Sequence, residues 1–305
     1  MDCNKPTEKR AHNCTPLIFG EVLFDCFPDG REKLGGAPFN VAWNLQAFGM
    51  FPVLVSRIGD DNLGRQIQEK MNSWDMITSS LQLDPSYPTG KVHIELSGGE
   101  PQFTILPDQA YDYIVPLAGN MPHEPSFLYH GSLALRNVVS RTTLSCLKRG
   151  YQCPVFVDVN LRSPWWNTGQ VHDLVADATW VKLNEVELDS LFPGKENLEQ
   201  RCRQLRERFN LDAVFVTLGK MGAVAFNRNN LFISVKPQEN ISIMDTVGAG
   251  DAFSSILLLG LMNNWPLHIT MQRAQEFASA VVGQRGAITL DKNFYQTFRN
   301  KWNLQ

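Results

Sequence analysis

The chain has 305 residues, of which 43% are hydrophobic and 19% charged, and its formal net charge is −3. This length and balance allow one large α/β domain or two small ones with a sizeable core. Without a basic surplus, nucleic acid and anionic membranes are disfavoured as partners, although a local loop can still bind a phosphorylated ligand.

The spacing of the cysteines and the polar N-terminal residues bear on the cellular compartment in which the protein works. The cysteines form no CxxC pair and no metal-ligand spacing, so we expect reduced thiols rather than a disulfide framework. The first residues, MDCNKPTEKRAHNCT, contain no apolar segment typical of a signal peptide, and the apolar run at residues 256–262 is too short to span a bilayer. We therefore expect a cytoplasmic protein. The cysteines are Cys3, Cys14, Cys26, Cys146, Cys153 and Cys202.

Short apolar runs alternate with helical patterns along the chain. The apolar runs predict buried strands at residues 17–24, 52–58, 155–158, 179–183 and 213–218. The helical patterns between them predict helices at residues 40–48, 63–72, 140–149, 185–192 and 198–209. This alternation predicts a mainly parallel sheet with helices on both faces.

Two segments interrupt this alternation. Residues 22–34 contain a Pro-Asp-Gly turn, and residues 90–105 contain two alternating runs around a Ser-Gly-Gly turn, which is a hairpin pattern. Together they predict a small separate β-sheet that serves as a lid over a ligand cleft. Edge strands of the main sheet are the alternative.

Residues 245–251 (DTVGAGD) are predicted to form an anion-binding loop. The small residues Gly248, Ala249 and Gly250 let the backbone approach a ligand closely, and an apolar helical run follows them. Loop N–H groups and the helix N-terminus favour a transferring phosphoryl group, and Asp251 can accept a proton from an attacking hydroxyl. The alternative is that Asp251 only caps the helix.

The string DTVGAGDAFSS resembles the C-terminal signature of the pfkB, or ribokinase-like, carbohydrate kinases. Residues 35–42 (GGAPFNVA), followed by Gly49 and Gly59, resemble the N-terminal signature of the same family. Ile256 departs from the pattern, which usually has a small residue there. The resemblance implies one ribokinase-like kinase domain over residues 1–305, with a three-layer α/β/α fold. It also implies that the chain transfers the γ-phosphoryl group of ATP to a sugar hydroxyl.

The resemblance assigns a sugar side to the cleft. Asp25 lies where the family has a carboxylate that binds sugar hydroxyls, and Gly35, Gly36 and Asn40 match the sugar-side loop. A carboxylate and an amide suit a polyol because they accept and donate hydrogen bonds. The alternatives are a turn-forming Asp25, a plain glycine turn and a helix-capping Asn40.

The resemblance also assigns a nucleotide side. Asn184 and Glu187 resemble the family's Asn-x-x-Glu motif, which places Mg²⁺ and phosphate, with Glu187 acting through water. A capping box is the alternative for this pair. Thr217, Gly219 and Gly222 resemble the turn that contacts ATP, although many strand-to-helix turns carry two glycines.

Further expectations are less specific. Arg162 follows a predicted strand, where ligands of α/β sheets gather, and it is a candidate phosphate or sugar ligand; pairing with a carboxylate is the alternative. His130 and the Trp165-Trp166 pair are expected to be packing residues. Relatives bind a monovalent cation near the position of Asp245, so K⁺ is a candidate ion, and some relatives pair through the lid, which implies a homodimer.

The resemblance is strongest to bacterial fructokinases, through GEVLFD, GGAPFNVA, GEPQFTI, HGSLALR and DVNLRSPWW. It implies D-fructose as the substrate and fructose 6-phosphate as the product. Another sugar, a nucleoside, or a non-catalytic sugar-binding regulator on the same fold stays open. A dinucleotide-dependent oxidoreductase is disfavoured because no GxGxxG turn follows the first predicted strand.

Overall fold

The computed structural model describes residues 15–97, 100–117, 119, 124–237 and 243–304. The strands, numbered in chain order, are β1 (Leu17–Phe19), β2 (Leu23–Cys26), β3 (Glu32–Gly35), β4 (Val53–Gly59), β5 (Leu81–Asp84), β6 (Gly90–Ser97), β7 (Glu100–Ile105), β8 (Leu128–His130), β9 (Val155–Asp158), β10 (Trp180–Asn184), β11 (Ala213–Thr217), β12 (Ala223–Asn227) and β13 (Phe232–Val235). The α-helices are α1 (Ala37–Ala47), α2 (Asn62–Ser73), α3 (Val138–Gly150), α4 (Thr168–Ala176), α5 (Glu185–Leu191), α6 (Leu198–Arg208), α7 (Ala249–Met262), α8 (Leu267–Val282) and α9 (Lys292–Lys301).

A large, mostly parallel sheet forms the middle layer, in the order β13-β12-β11-β10-β9-β8-β1-β4-β5. Every neighbouring pair from β11 to β5 is parallel, whereas β12 and β13 are added antiparallel at one edge. Because side chains alternate along a strand, Phe156 and Phe215 pack with α1, α7 and α8 on one face. Val157 and Val216 pack with α3 to α6 on the other. The three-layer α/β/α prediction is confirmed.

The predicted strand at residues 17–24 is wrong as a single element. The chain leaves the large sheet after Phe19, and β2 belongs to a second sheet. Gly20 lies between them with φ 146°, and a Cβ on it would lie 2.5 Å from Cγ of Pro38 at the start of α1. The close passage of the backbone over α1 requires glycine there, and an apolar run of residues gives no sign of it.

The second sheet has the order β3-β2-β6-β7, with β2 and β6 parallel and the other neighbours antiparallel. Its strands come from residues 23–35 and 90–105, so the alternative of edge strands in the main sheet is wrong. Lys33 on β3 places Nζ 3.4 Å from Oδ2 of Asp245, ahead of α7. The small sheet therefore contacts the segment that precedes α7.

The helices and the cysteines of the structure can be compared with the sequence-based expectations. In the described part of the chain, no helix is long and apolar enough to cross a membrane. Four cysteines are free: Cys26, Cys146, Cys153 and Cys202. Cys3 and Cys14 lie outside the described residues.

The passage at Gly20 gives a stability prediction. Gly20→Ala puts a methyl group against Pro38 at an unfavourable φ, so we expect it to lower the free energy of unfolding by about 1–3 kcal/mol. The matched control is Gly150→Ala, at the end of α3, where an added Cβ meets nothing within 4 Å. It should raise stability by about 0.4–1 kcal/mol. Urea denaturation measures both, and a Gly20→Ala protein as stable as the wild type would contradict the explanation.

Candidate active site

A cleft of about 840 Å³ opens between the small sheet and the carboxyl ends of β9, β10 and β11. Ligands of open α/β sheets bind at these strand ends. The cleft brings together predicted residues from opposite ends of the chain. Those that line it are Asp25, Gly35, Gly36, Asn40, Arg162, Asn184, Glu187, Thr217, Gly248, Gly250 and Asp251. Ala249, Gly219, Gly222 and Asp245 do not line it.

The N-terminus of α7, a helix end that favours negative charge, faces this cleft. Gly248 is the N-cap, with φ 80°, and a Cβ on it would lie 2.3 Å from Cβ of Ala287, so only glycine fits. The first N–H groups of a helix have no acceptor within the helix, and the helix dipole favours negative charge there. The N–H of Ala249 is directed at O of Thr246, at 3.4 Å, which leaves the next two N–H groups better placed for an anion.

Asp251 is the third residue of α7, so the alternative that it caps the helix is wrong. Its Oδ2 accepts a hydrogen bond from Nδ2 of Asn40 at 2.7 Å. Burial raises the pKa of Asp251; the Asn40 hydrogen bond opposes this and the Asp158 charge adds to it. The result is a carboxylate that binds a proton more strongly than an ordinary aspartate, beside an anion-binding helix end.

A buried ion pair lies beneath the start of α7. Nζ of Lys182 lies 3.0 and 3.1 Å from the two carboxylate oxygens of Asp158. Oδ2 of Asp158 also accepts hydrogen bonds from Oγ of Ser254 at 2.7 Å and from the hydroxyl of Tyr129 at 3.3 Å. Burial lowers the pKa of Lys182, but the charges of Asp158 and other nearby carboxylates outweigh it and raise the pKa overall.

Sequence reasoning missed Lys182 as a site residue. It lines the cleft, and a Cβ on Gly250 would lie 3.2 Å from its Nζ. The available signal was a lysine inside an otherwise apolar strand, because a buried charge requires a partner. An aspartate ends the neighbouring apolar strand, at Asp158.

Glu21 is a second residue that was missed. It lines the cleft, is 3% exposed, and its Oε2 has no hydrogen-bond partner among the described residues. Burial raises the pKa of Glu21 to about 7, although its own backbone N–H and the Arg162 charge lower it. The signal was a glutamate inside the apolar run LIFGEVLF. Glu21 can therefore hold a proton at neutral pH and donate it in a hydrogen bond.

On the predicted sugar side, burial raises the pKa of Asp25 to about 6, opposed by the charges of Arg162 and Lys33. Gly36 has φ 103°, and a Cβ on it would lie 2.7 Å from the carbonyl oxygen of Glu21, so the glycine is sterically required. Arg162 is exposed and forms no ion pair with the described residues, so the predicted alternative of a paired arginine is not observed.

On the predicted nucleotide side, Asn184 and Glu187 form the capping box that was the alternative. Oδ1 of Asn184 accepts from N of Glu187 at 2.9 Å, and Oε2 of Glu187 accepts from N of Asn184 at 2.8 Å. Oε1 of Glu187 accepts from N of Leu161 at 2.7 Å. Both residues nevertheless line the cleft. With both oxygens engaged, Glu187 suits an ion reached through water rather than by direct ligation.

Gly219 and Gly222 lie in the turn after β11, outside the cleft lining. Gly222 has φ 97°, and a Cβ on it would lie 1.9 Å from O of Val235. Asp245 also lies behind the lining, where its carboxylate accepts hydrogen bonds from N of Val247 and N of Gly286, each at 3.0 Å. Burial opposes ionisation of Asp245, but these hydrogen bonds outweigh it and lower the pKa.

His130 packs as predicted. It ends β8, is fully buried, and does not line the cleft. Burial lowers the pKa of His130 to about 3, so the ring is neutral. Within the described residues, no group of three or more His, Cys, Asp or Glu side chains could hold a metal ion by itself.

The sequence and the fold are similar to those of known proteins. A family model described as pfkB family carbohydrate kinase matches residues 17–293. The chain is 32% identical over 261 residues to a fructokinase of Klebsiella pneumoniae, covering 80% of this chain and 83% of that protein. It is 27% identical over 296 residues to aminoimidazole riboside kinase of Salmonella typhimurium, covering 89% and 90%. The fold matches a Vibrio cholerae O395 fructokinase bound to fructose, ADP and potassium ion, with a TM-score of 0.77 and 26% identity over 93% of this chain and 97% of that one.

The hydrogen bond from Asn40 gives a direct prediction for Asp251. It stabilises the charged carboxylate, so Asn40→Ala should raise the pKa of Asp251 further, by removing a stabilising donor. A carbon-detected NMR titration of the aspartate carboxyl groups, assigned with Asp251→Asn, measures the shift. The pKa of Asp61, whose causes include neither Asn40 nor Asp251, is the internal control. An unchanged pKa for Asp251 would show that the contact is not made in solution.

Proposed function

Because the chain belongs to the pfkB family of carbohydrate kinases and is an ATP-dependent sugar kinase, we propose that its acceptor is D-fructose and its product fructose 6-phosphate. The fructokinase relatives support this choice, and the related aminoimidazole riboside kinase makes a riboside the second candidate. The observation that carries the chemistry is the position of Asp251, which is held by Asn40 at the anion-binding end of α7.

In the proposed reaction, the acceptor hydroxyl attacks the γ-phosphorus of ATP in line. A new O–P bond forms, the bond to the β,γ-bridging oxygen breaks, ADP leaves, and Asp251 takes the hydroxyl proton. The N–H groups of Gly250 and Asp251, at the start of α7, stabilise the charge on the phosphoryl oxygens, with Ala249 and Gly248 shaping the turn. Lys182 adds a fixed positive charge below this turn.

The sugar would lie between α1 and the small sheet. Asp25 and Asn40 offer a carboxylate and an amide to neighbouring hydroxyls, while Gly35 and Gly36 leave room for the ring. Glu21, whose pKa burial raises to about 7, would in its protonated form donate a hydrogen bond to a further sugar oxygen. Arg162, exposed at the rim, would contact the sugar or the transferred phosphate.

The nucleotide would lie along the ends of β10 and β11. Thr217 lines the cleft, whereas Gly219 and Gly222 would act through the turn that they shape. Mg²⁺ on the ATP phosphates would be reached from Asn184 and Glu187 through water, and it would neutralise phosphate charge.

K⁺ is proposed near Asp245. Its carboxylate already accepts two backbone hydrogen bonds and faces Lys33, so backbone carbonyl oxygens of the loop would supply the ligands. The K⁺-bound fructokinase relative supports this proposal.

We propose that the chain works as one kinase domain. We also propose that the small sheet, built from residues of about 22–34 and 90–105, is its lid. Val92, Phe103 and Ile105 of this sheet line the cleft. A lid that closes over the sugar would exclude water and limit ATP hydrolysis. Phe103 is 55% exposed, and an apolar surface on this sheet would suit a homodimer.

The role of Asp251 is tested by comparing it with Glu21, a second buried carboxyl group of the cleft. Asp251→Asn should lower kcat about 10²–10⁴-fold while fructose and ATP still bind, because only proton acceptance is lost. Glu21→Gln, the matched control, should mainly raise the KM for sugar. Steady-state kinetics with binding calorimetry separate the two effects. An active Asp251→Asn enzyme together with an inactive Glu21→Gln enzyme would contradict this assignment, because Glu21 would then be the proton acceptor.

The acceptor is tested by coupled ADP release with Mg-ATP, with fructose first, then other hexoses, ribose and a purine riboside, with and without K⁺. Fructose should give the highest kcat/KM, and NMR of the product should place phosphate on O6. A higher kcat/KM for another acceptor would reject fructose and keep the kinase. Stimulation by K⁺ but not by Na⁺ would support the cation site.

A further inference from the structure

A second cavity, of about 360 Å³, lies on the far side of the loop that follows β9. It is bounded by α3, α4 and the 3-10 helix Leu133–Arg136, and it shares no lining residue with the cleft. Its volume suits a small metabolite. The kinase reaction proposed above does not use any of its side chains.

The inner wall carries two buried donors without acceptors. The side chain of Arg136 is 6% exposed, and its Nε and Nη2 donate to the carboxylate of Asp112 at 2.6 and 2.7 Å. Its Cζ lies 4.3 Å from the ring centroid of Trp165. Nη1 of Arg136 and Nε1 of Trp165 are buried with no hydrogen-bond partner among the described residues. A buried unpaired donor is costly, so two of them on side chains that line one cavity indicate a missing acceptor.

The charge distribution favours an anion. Arg141 and Lys148 also line the cavity, and the side chain of Lys148 is only 13% exposed. The opposing acidic residues, Asp173 and Asp177, are exposed at the rim, and Asp177 lies 3.6 Å from Nζ of Lys148. Burial lowers the pKa of Lys148, a cost that a second negative charge inside the cavity would offset.

We propose that this cavity is a binding site for a small phosphate monoester. Its phosphate oxygens would accept hydrogen bonds from Nη1 of Arg136 and Nε1 of Trp165, with Lys148 and Arg141 supplying charge. Three phosphate oxygens with up to two negative charges match this donor set better than a neutral ligand does. The organic part would lie against the ring of Trp166, towards the open side of the cavity.

The site is joined to the cleft by one short loop. Arg162 lines the cleft, and its carbonyl oxygen accepts a hydrogen bond from N of Trp165 at 2.8 Å. Oγ of Ser132, which lines the second cavity, donates to O of Asn160 in the cleft wall at 3.4 Å. An occupant that engages Trp165 therefore acts on the segment that carries Arg162, and we expect it to change the KM for sugar.

The indole N–H signals of the full chain, observed by ¹⁵N NMR, test binding directly. The probes are inorganic phosphate and glycerol 3-phosphate, with glycerol as the uncharged control, and Trp165→Phe assigns the Trp165 signal. Each anion should shift that signal saturably, and glycerol should not. No shift up to about 10 mM, ten times a weak Kd of about 1 mM, would overturn the proposal, as would an equal shift with glycerol.

Matched variants on α3 separate this site from anion binding at α7. Lys148→Gln should weaken the Trp165 response about tenfold or more, because a charge-assisted contact is lost. Arg149→Gln, one residue further and outside the cavity lining, should leave it unchanged. Equal responses in both variants would contradict the site. A sugar KM that is the same with and without saturating glycerol 3-phosphate would contradict the link to Arg162.

Discussion

The buried ion pair between Lys182 and Asp158 fixes the parts of the candidate active site relative to one another. A charge removed from water must be paired, and here the partners come from adjacent parallel strands, β10 and β9. Ser254 of α7 donates to the same aspartate, which ties the helix to both strands. Gly250 sits directly over the ammonium group, where a side chain would crowd it. The N-terminus of α7 is thereby fixed above the carboxyl ends of the strands.

The rest of the cleft is arranged around this centre. Three carboxyl groups, Glu21, Asp25 and Asp251, are brought into one space by segments from both ends of the chain. Burial raises the pKa of each, and the exposed Arg162 opposes the shift in all three. The cleft therefore holds groups that exchange protons near neutral pH, next to a helix end that attracts anions. Both properties are what phosphoryl transfer to a hydroxyl requires.

Much of this could be predicted from sequence because the strongest signals are local. The β-strand at residues 155–158 follows from an apolar run, and the glycine-rich turn before α7 follows from residues that permit unusual backbone angles. The break at Gly20 could not be predicted, because its cause is contact with Pro38 in another element. Strands as short as β8, and the edge strands β12 and β13, were also missed, since a few residues carry little periodic signal.

The missed site residues share one property. Lys182 and Glu21 are charged residues inside apolar runs, and a run of this kind is scored for its hydrophobic pattern rather than for its exception. The contacts of these two side chains, and the direction in which they point, depend on tertiary packing. The same holds for Glu187, which both caps α5 and lines the cleft. A charged residue in a buried strand is therefore worth treating as a candidate site residue before the fold is known.

The most direct test of the proposed mechanism is a crystal structure of the protein with fructose, Mg²⁺ and a non-hydrolysable ATP analogue. In this mechanism the terminal phosphate is expected to contact the N–H groups of Gly250 and Asp251. The mechanism also predicts that the reacting primary hydroxyl lies within about 2.6–3.2 Å of the Asp251 carboxylate. A terminal phosphate bound away from α7, or a reacting hydroxyl whose nearest carboxyl group is Glu21, would contradict it.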